Sequence, residues 1–157
     1  MKIYPFLWFE HDAEEAVKLY TSLFKDSKIF ETVRYGDSGP GAPGSVMTIT
    51  FQIAGQDFIA LNGGNYVKFN DAVSFHITVE TQTEVDDLWE KLTANGGEPG
   101  QCGWLKDRFG LSWQIVPEVL SRLLQDADAE KTNRVTQAML KMNKLDIAAL
   151  QAAYDHA

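Results

Sequence analysis

The sequence predicts an α+β fold made of two βαβββ repeats followed by C-terminal helices. Three observations lead to this prediction. The apolar and capping positions of one predicted helix recur 69 positions later in a second helix. After each of these helices the apolar pattern changes to a period of two, broken by Gly and turn residues, which is typical of antiparallel hairpins. From Pro117 onward the period is helical again.

The first repeat spans about residues 1–64. It opens with an apolar strand, Ile3 to Phe9, and a helix start at which Asp12 is expected to cap the helix and Glu15 to bond back to the cap. Period-two runs then predict three strands, at 27–35, 46–53 and 57–62. The Gly- and Pro-rich segment 37–44 predicts either a plain surface loop or a flexible lid over a site.

The second repeat spans about residues 70–117. A strand at 74–79 precedes Thr81 and Glu84, which form a second capping-box pattern. The positions that coincide with Asp12, Glu15, Leu19, Tyr20 and Leu23 of the first repeat are Thr81, Glu84, Leu88, Trp89 and Leu92. Three strands follow, at 98–100, 103–107 and 111–117. Because neither half alone would bury much core, we predict a single domain over residues 1–157.

The tail, about residues 118–157, is predicted to be helical. Apolar residues at helical spacing indicate three helices, which begin at Pro117, near Asp128 and at Asp146. Isolated short helices need tertiary packing to be stable. We therefore expect the tail to brace the repeats or to pack on a partner subunit.

Composition excludes several classes of partner. The chain has 157 residues, of which 45% are hydrophobic, and 14 Lys and Arg against 22 Asp and Glu give a net charge of −8. That charge repels phosphate backbones and anionic lipid, so neither nucleic acid nor a membrane is expected as a partner. A single cysteine, Cys102, permits no intrachain disulfide, and the start of the chain lacks the pattern of a signal peptide. We expect a cytoplasmic protein.

Particular segments resemble a known family. They are Glu14-Glu15-Ala16, Ser74-Phe75-His76, 84–89, 141–150 and, most specifically, Gly103 to Pro117. Together they resemble the PhnB-like, or demethylubiquinone methyltransferase-like, family of the glyoxalase, bleomycin-resistance and dioxygenase superfamily, also named vicinal oxygen chelate proteins. The resemblance implies that each half folds into a glyoxalase-like curved mixed sheet or half-barrel, that a concave site takes a small molecule, and that the protein is a homodimer.

The resemblance also implies where metal ligands would stand. Metal-dependent members of the superfamily carry one His or Glu ligand on the first and the last strand of each half. The matching positions here are Pro5, Ile59, Ser74 and Gln114. Pro and Ile side chains offer no lone pair, and Ser and Gln are weak ligands, so we predict no metal and no cofactor. No Gly-rich turn opens a helix after a strand, which argues against the family's methyltransferase name.

The same strands supply candidate ligand-binding residues. Strand alternation places Ser74 and His76 on one face, and Gln114 on the corresponding face of the last strand. His76 is the candidate catalytic group, as a general base or hydrogen-bond donor, although a strand histidine can also be satisfied by its neighbours. Gln114 either orients a ligand or is tied to the backbone. Trp8 and Trp104 either stack on a planar ligand or pack the sheet.

These residues leave several functions open. The first is a protein that binds a small oxygenated or aromatic molecule in a metal-free cavity. The second is an enzyme in which His76, with Ser74 and Gln114, acts on a quinone-like substrate. Methyl transfer has no cofactor motif in its favour, and a divalent-metal lyase, isomerase or dioxygenase would need relocated ligands. The sequence does not decide whether the protein is an enzyme.

Overall fold

The protein divides into two compact units with their boundary between Phe69 and Asn70. The computed structural model describes residues 1–156. Each unit contains one four-stranded mixed sheet, and neither sheet closes into a barrel. The two sheets correspond to the two repeats, so the α+β fold class with βαβββ repeats is confirmed.

The first unit follows the predicted element order. It contains β1 (Phe6–Phe9), α1 (Ala13–Leu23), β2 (Lys28–Arg34), β3 (Val46–Ile53) and β4 (Gln56–Asn62). The strands lie in the order β1-β4-β3-β2, and only β1 and β4 are parallel. The first strand begins at Phe6 and not at Ile3, because Pro5 has no N–H to donate to a ladder. The Pro5 carbonyl still accepts the Ile59 N–H at 3.0 Å.

Alternation along these strands determines which side chains are buried. The residues buried on the face toward α1 include Leu7, Phe9, Ile49, Phe51, Phe58 and Ala60. They pack with Ala16, Val17 and Tyr20 of the helix, all of which are fully buried. The side chains between them along the strands form the opposite face, which is only partly buried.

The start of α1 differs from the prediction. Asp12 occupies the cap position but makes no side-chain cap hydrogen bond. Instead the side chain of Asn62, at the end of β4, accepts the Ala13 N–H at 2.9 Å and donates to the Val46 carbonyl at 3.1 Å. A residue distant in sequence therefore ties the helix start to two strands of the sheet.

The second unit repeats this topology. It contains β5 (Ser74–Val79), α2 (Gln82–Thr93), β6 (Glu98–Pro99), β7 (Trp104–Lys106) and β8 (Ser112–Pro117). Its strand order is β5-β8-β7-β6, with β5 and β8 parallel. Here the predicted capping box is present, since Thr81 accepts the Glu84 N–H at 3.2 Å and the Glu84 carboxylate accepts the Thr81 N–H at 2.9 Å.

A buried carboxylate organises the turn between β7 and β8. Asp107 is 2% exposed. Its Oδ1 accepts the backbone N–H groups of Phe109 at 2.9 Å and Leu111 at 3.1 Å, and its Oδ2 accepts the Trp113 indole N–H at 2.9 Å. Burial of a charge is tolerated when several donors surround it, so Asp107 fixes both the turn and the Trp113 ring.

The tail forms three helices that pack on the second sheet. They are α3 (Glu118–Leu124), α4 (Ala129–Met139) and α5 (Ile147–Asp155). Their buried cluster consists of Val116, Leu120, Leu123, Val135, Leu145 and Leu150. The segment between α4 and α5 hydrogen-bonds to the chain before β7, from Cys102 N–H to the Met142 carbonyl at 2.8 Å and from Gly103 N–H to the Asn143 carbonyl at 2.7 Å. The tail thus braces the second repeat, one of the two roles predicted for it.

None of the helices within residues 1–156 is long and apolar enough to cross a membrane.

Candidate functional site

Three of the predicted site residues form one row across the second sheet. In the parallel pair of β5 and β8, His76 is opposite Gln114, and in the antiparallel pair of β8 and β7, Gln114 is opposite Trp104. Residues opposite one another on adjacent strands present their side chains on the same face. The sheet therefore places His76, Gln114 and Trp104 side by side, on the face away from buried Trp113 and Ile115.

A hydrogen bond links this row to the fourth predicted residue of the unit. The Gln114 amide Nε2 donates to the Ser74 hydroxyl oxygen at 2.8 Å. With its nitrogen bonded to Ser74, the amide has its oxygen available to another donor. His76 is exposed and its imidazole has no hydrogen-bond partner among residues 1–156. Both ring nitrogens can therefore contact a ligand.

A second row beside the first carries charge. Ser74, Ser112 and Lys106 are opposite one another on β5, β8 and β7. Asp71, which lies just before β5, accepts the Ser112 hydroxyl at 2.7 Å and pairs with the Lys106 ammonium at 3.2 Å. The hydrogen bond from Ser112 and then that from Lys106 lower the pKa of Asp71 below its ordinary value. Asp71 is ionised at neutral pH and holds Lys106 over the strand.

Of this second row only Ser74 is a predicted ligand-binding residue, and Ser112, Lys106 and Asp71 are not. Lys106 follows Trp104 by two residues, so strand alternation would have placed both on one face. Asp71 lies in an irregular segment and no periodic signal marks it.

A cleft of about 550 Å³ meets the two rows at their β7 ends, whereas His76, Gln114 and Ser74 do not line it. Trp104, Lys106 and Asp71 line it together with the residues of β6 and the 100–102 turn. Trp104 is half-buried, so part of its ring remains available for contact. The cleft is within the size range of small-molecule sites, about 300–1,000 Å³.

Trp8, the remaining predicted site residue, lies on β1 of the first unit. It is half-buried on β1, and its indole N–H donates to the Gly64 carbonyl at 2.8 Å. Its ring lies so close to Gly63 that a Cβ there would be 2.3 Å from the ring. Trp8 therefore supports the chain after β4, and its predicted role in ligand binding stays a prediction.

The residues at the superfamily's ligand positions do not fit a metal ion. Pro5 and Ile59 contact one another through their backbones, while the side chains of Ser74 and Gln114 bond to each other. Within residues 1–156 no three His, Cys, Asp or Glu side chains are grouped so that they could share a metal.

The residues also do not fit a sulfonium cofactor held at a strand-to-helix turn. The turn from β1 to α1 is Glu10-His11-Asp12, and the turn from β5 to α2 is Glu80-Thr81. Neither contains the glycines that allow a backbone to approach a bound nucleotide-type cofactor closely.

A model of the family described as 3-demethylubiquinone-9 3-methyltransferase matches residues 1–116. The chain belongs to this family. Among solved structures, a PhnB protein from Bacillus cereus, which is also named for 3-demethylubiquinone-9 3-methyltransferase, is 38% identical. The match covers 74% of this chain and 99% of that one, with a TM-score of 0.67. The predicted resemblance to PhnB-like proteins is confirmed.

Two more distant structures share the fold. A protein from Pseudomonas aeruginosa is 21% identical over 75% of this chain and 98% of its own, with a TM-score of 0.61. The fosfomycin resistance protein FosX from Listeria monocytogenes is 14% identical over 77% of this chain and 95% of its own, with a TM-score of 0.50. No curated protein matches the chain.

The match to the family covers the two repeats but not the helical tail. The family model ends at residue 116, immediately before α3. The Bacillus cereus protein is matched almost throughout its length by only 74% of this chain. The α3–α5 tail thus lies outside the family model, although its 141–150 segment contributed to the resemblance seen in the sequence.

Proposed function

We propose that this protein binds a small oxygenated or aromatic molecule, without a metal ion, on the polar face of the second sheet. The observation that carries the proposal is the row of His76, Gln114 and Trp104, which register places on neighbouring strands. The Trp104 ring offers a stacking surface. The Gln114 amide oxygen and the exposed His76 imidazole offer hydrogen bonds to hydroxyl or carbonyl groups.

The second row supports an oxygenated ligand in particular. Lys106 is 38% exposed in its side chain and is held by Asp71 at 3.2 Å. An ammonium has three N–H donors, so pairing with one carboxylate leaves donors for a ligand oxygen. The hydroxyl of Ser112 is engaged with Asp71, and the hydroxyl of Ser74 with Gln114. These bonds hold the ligand-facing groups in place before binding.

The test is calorimetric titration of the purified protein with 4-hydroxybenzoate and with a dimethoxy-benzoquinone. We expect binding that weakens about tenfold or more in Gln114→Leu and in Trp104→Leu. Thr78→Ala, on the same strand and face as His76 but outside the row, is the control and should bind as the unaltered protein does. Equal affinity in all three variants would exclude this face as the site.

A second function is favoured by the position of His76. An exposed imidazole with no partner among the described residues can act as a general base toward a quinone-like substrate. Mass spectrometry of the bound compound after incubation separates the two functions. Turnover that disappears in His76→Gln while affinity is retained identifies an enzyme, and an unchanged compound identifies a binding protein.

We also propose that the protein forms a homodimer through the first unit. Strand β2 is an edge strand, and its residues Ile29, Phe30 and Val33 are 46%, 49% and 37% exposed. An edge strand with apolar side chains is a template for pairing with another chain. Sedimentation of the protein at micromolar concentration should give a dimer that Phe30→Lys dissociates. A monomer of 17.6 kDa in the unaltered protein would refute this assembly.

A further inference from the structure

A second cavity lies where the strands of the first sheet end. The sheet topology brings together the C-terminal ends of β1, β2 and β4 and the N-terminal end of β3. The cavity measures about 460 Å³, and its lining includes Glu10, Glu14, Arg34, Asn62 and Tyr66. It belongs entirely to the first unit, and none of the residues proposed above to bind a ligand lines it.

One wall of this cavity is a loop fastened to an aromatic ring. The ring of Tyr35 is buried, and its hydroxyl donates to the Asn62 carbonyl at 2.6 Å. A Cβ at Gly39 would lie 2.6 Å from one ring carbon, and a Cβ at Gly41 would lie 2.3 Å from another. Only glycine permits this approach, so the segment 37–44, predicted to be a surface loop or a lid, packs against the Tyr35 ring. Gly44 N–H donates to the Tyr35 carbonyl at 2.8 Å and fixes the end of the loop.

Side chains of opposite charge line the cavity on two sides. Glu10 follows β1, Glu14 lies in the first turn of α1, and Arg34 ends β2. Because β1 and β2 are the outer strands of four, their backbones are three strand spacings apart, about 14 Å. Glu10, Glu14 and Arg34 nevertheless all line the same cavity of about 460 Å³, so one molecule inside it can contact charges of both signs.

The charged groups have unused bonding capacity. Within residues 1–156 the Glu14 carboxylate has neither a hydrogen bond nor an ion pair, and Glu10 has only a long contact with His11 at 3.9 Å. The Arg34 guanidinium donates to the Gly44 carbonyl at 2.9 Å, which leaves its other N–H groups for a ligand. Tyr66 is 83% exposed at the same cavity and offers a ring face.

We propose that this cavity binds a small zwitterion that carries an ammonium group, a carboxylate and an apolar or aromatic body. The ammonium pairs with Glu10 and Glu14, the carboxylate pairs with Arg34, and the body rests on Tyr66. A simple anion would face two carboxylates, and a simple cation would face the guanidinium. A molecule with both charges satisfies all three groups.

The test compares three probes of one shape by NMR titration: phenylalanine, phenethylamine and 3-phenylpropionate. We expect phenylalanine to bind at least tenfold more tightly than either of the others and to shift backbone amides in 10–14, 34–45 and 62–66. Arg34→Gln should reduce the preference for phenylalanine over phenethylamine. Glu14→Gln should reduce the preference for phenylalanine over 3-phenylpropionate.

Matched variants in the second unit control for the loss of charge. Arg108→Gln and Glu90→Gln remove the same charges from exposed residues and should leave the affinities unchanged. No binding at millimolar phenylalanine, or equal affinity for all three probes, would overturn the proposal. Shifts confined to the second unit would also overturn it. Because the proposed ligand face of the second sheet contributes no residue to this cavity, failure of either proposal leaves the other standing.

Discussion

Removal of the Asp107 carboxylate is expected to destabilise the second unit severely. The side chain is 2% exposed and accepts three hydrogen bonds, two of them from the fully buried donors Leu111 N–H and Trp113 Nε1–H. A hydrogen bond to a charged group contributes about 1.5–3 kcal/mol. For the two buried donors together, Asp107→Ala should therefore cost about 3–6 kcal/mol of unfolding free energy, which is much of the total for a small domain, about 5–15 kcal/mol.

The isosteric change Asp107→Asn separates hydrogen bonding from size. The amide oxygen can still accept the two backbone N–H groups, but the amide nitrogen then faces the Trp113 indole N–H, so one buried donor loses its partner. We expect a cost of about 1–3 kcal/mol. In Trp113→Phe that donor is absent, so the added cost of Asp107→Asn should be smaller in that background.

Urea denaturation followed by far-ultraviolet circular dichroism measures these costs. Asp87→Ala, an exposed change on α2, is the control and should shift the unfolding free energy by less than about 0.5 kcal/mol. If Asp107→Ala costs less than about 1 kcal/mol with an unchanged denaturant slope, the three hydrogen bonds do not stabilise the turn.

Three other outcomes are expected. Asn62→Ala should cost about 1–2 kcal/mol in urea denaturation, as loss of a helix cap does, whereas Asp12→Ala should cost less than about 0.5 kcal/mol; the reverse order would restore Asp12 as the cap. In NMR titration, Ser112→Ala should raise the pKa of Asp71 toward its ordinary value, and no change would contradict the hydrogen bond. The pKa of Asp71 is lower in the folded protein than in the unfolded chain. The contribution of Asp71 to the free energy of unfolding is therefore complete above the unfolded pKa and is lost as the pH falls through the folded pKa. In Ser112→Ala this contribution is smaller, so less stability should be lost on acidification. Gly41→Ala should release the loop from the tyrosine ring beneath it and speed amide exchange in 39–44, and unchanged exchange would show that the loop does not depend on this contact.

The sequence predicted most of the elements because local chemistry decides them. Period-two alternation placed Ser74, His76 and Gln114 on one face. In the structure His76 on β5 is opposite Gln114 on β8. The capping box at Thr81 formed because both of its partners lie within four residues. Local signals were sufficient where the partners are neighbours in the chain.

The features that the sequence missed depend on distant partners. Asn62 caps α1 from the end of β4, so the nearby Asp12 was the only visible candidate. Asp71 acquires its role from Ser112 and Lys106, which reach it only once the sheet has formed. The glycines of the 37–44 loop showed that the segment is irregular, but not that it closes on a tyrosine ring.

The parallel pairing of β1 with β4 has a consequence for synthesis on the ribosome. Every strand of the first sheet lies between Phe6 and Asn62, but Phe6 acquires its partner only when Ile59 has been made. Non-local pairing of this kind is slow, because the intervening chain must close into a loop first. All the parts of the first sheet nevertheless exist before Ser112, the start of β8, is translated. The nascent chain therefore contains every strand of the first sheet while the second sheet still lacks β8.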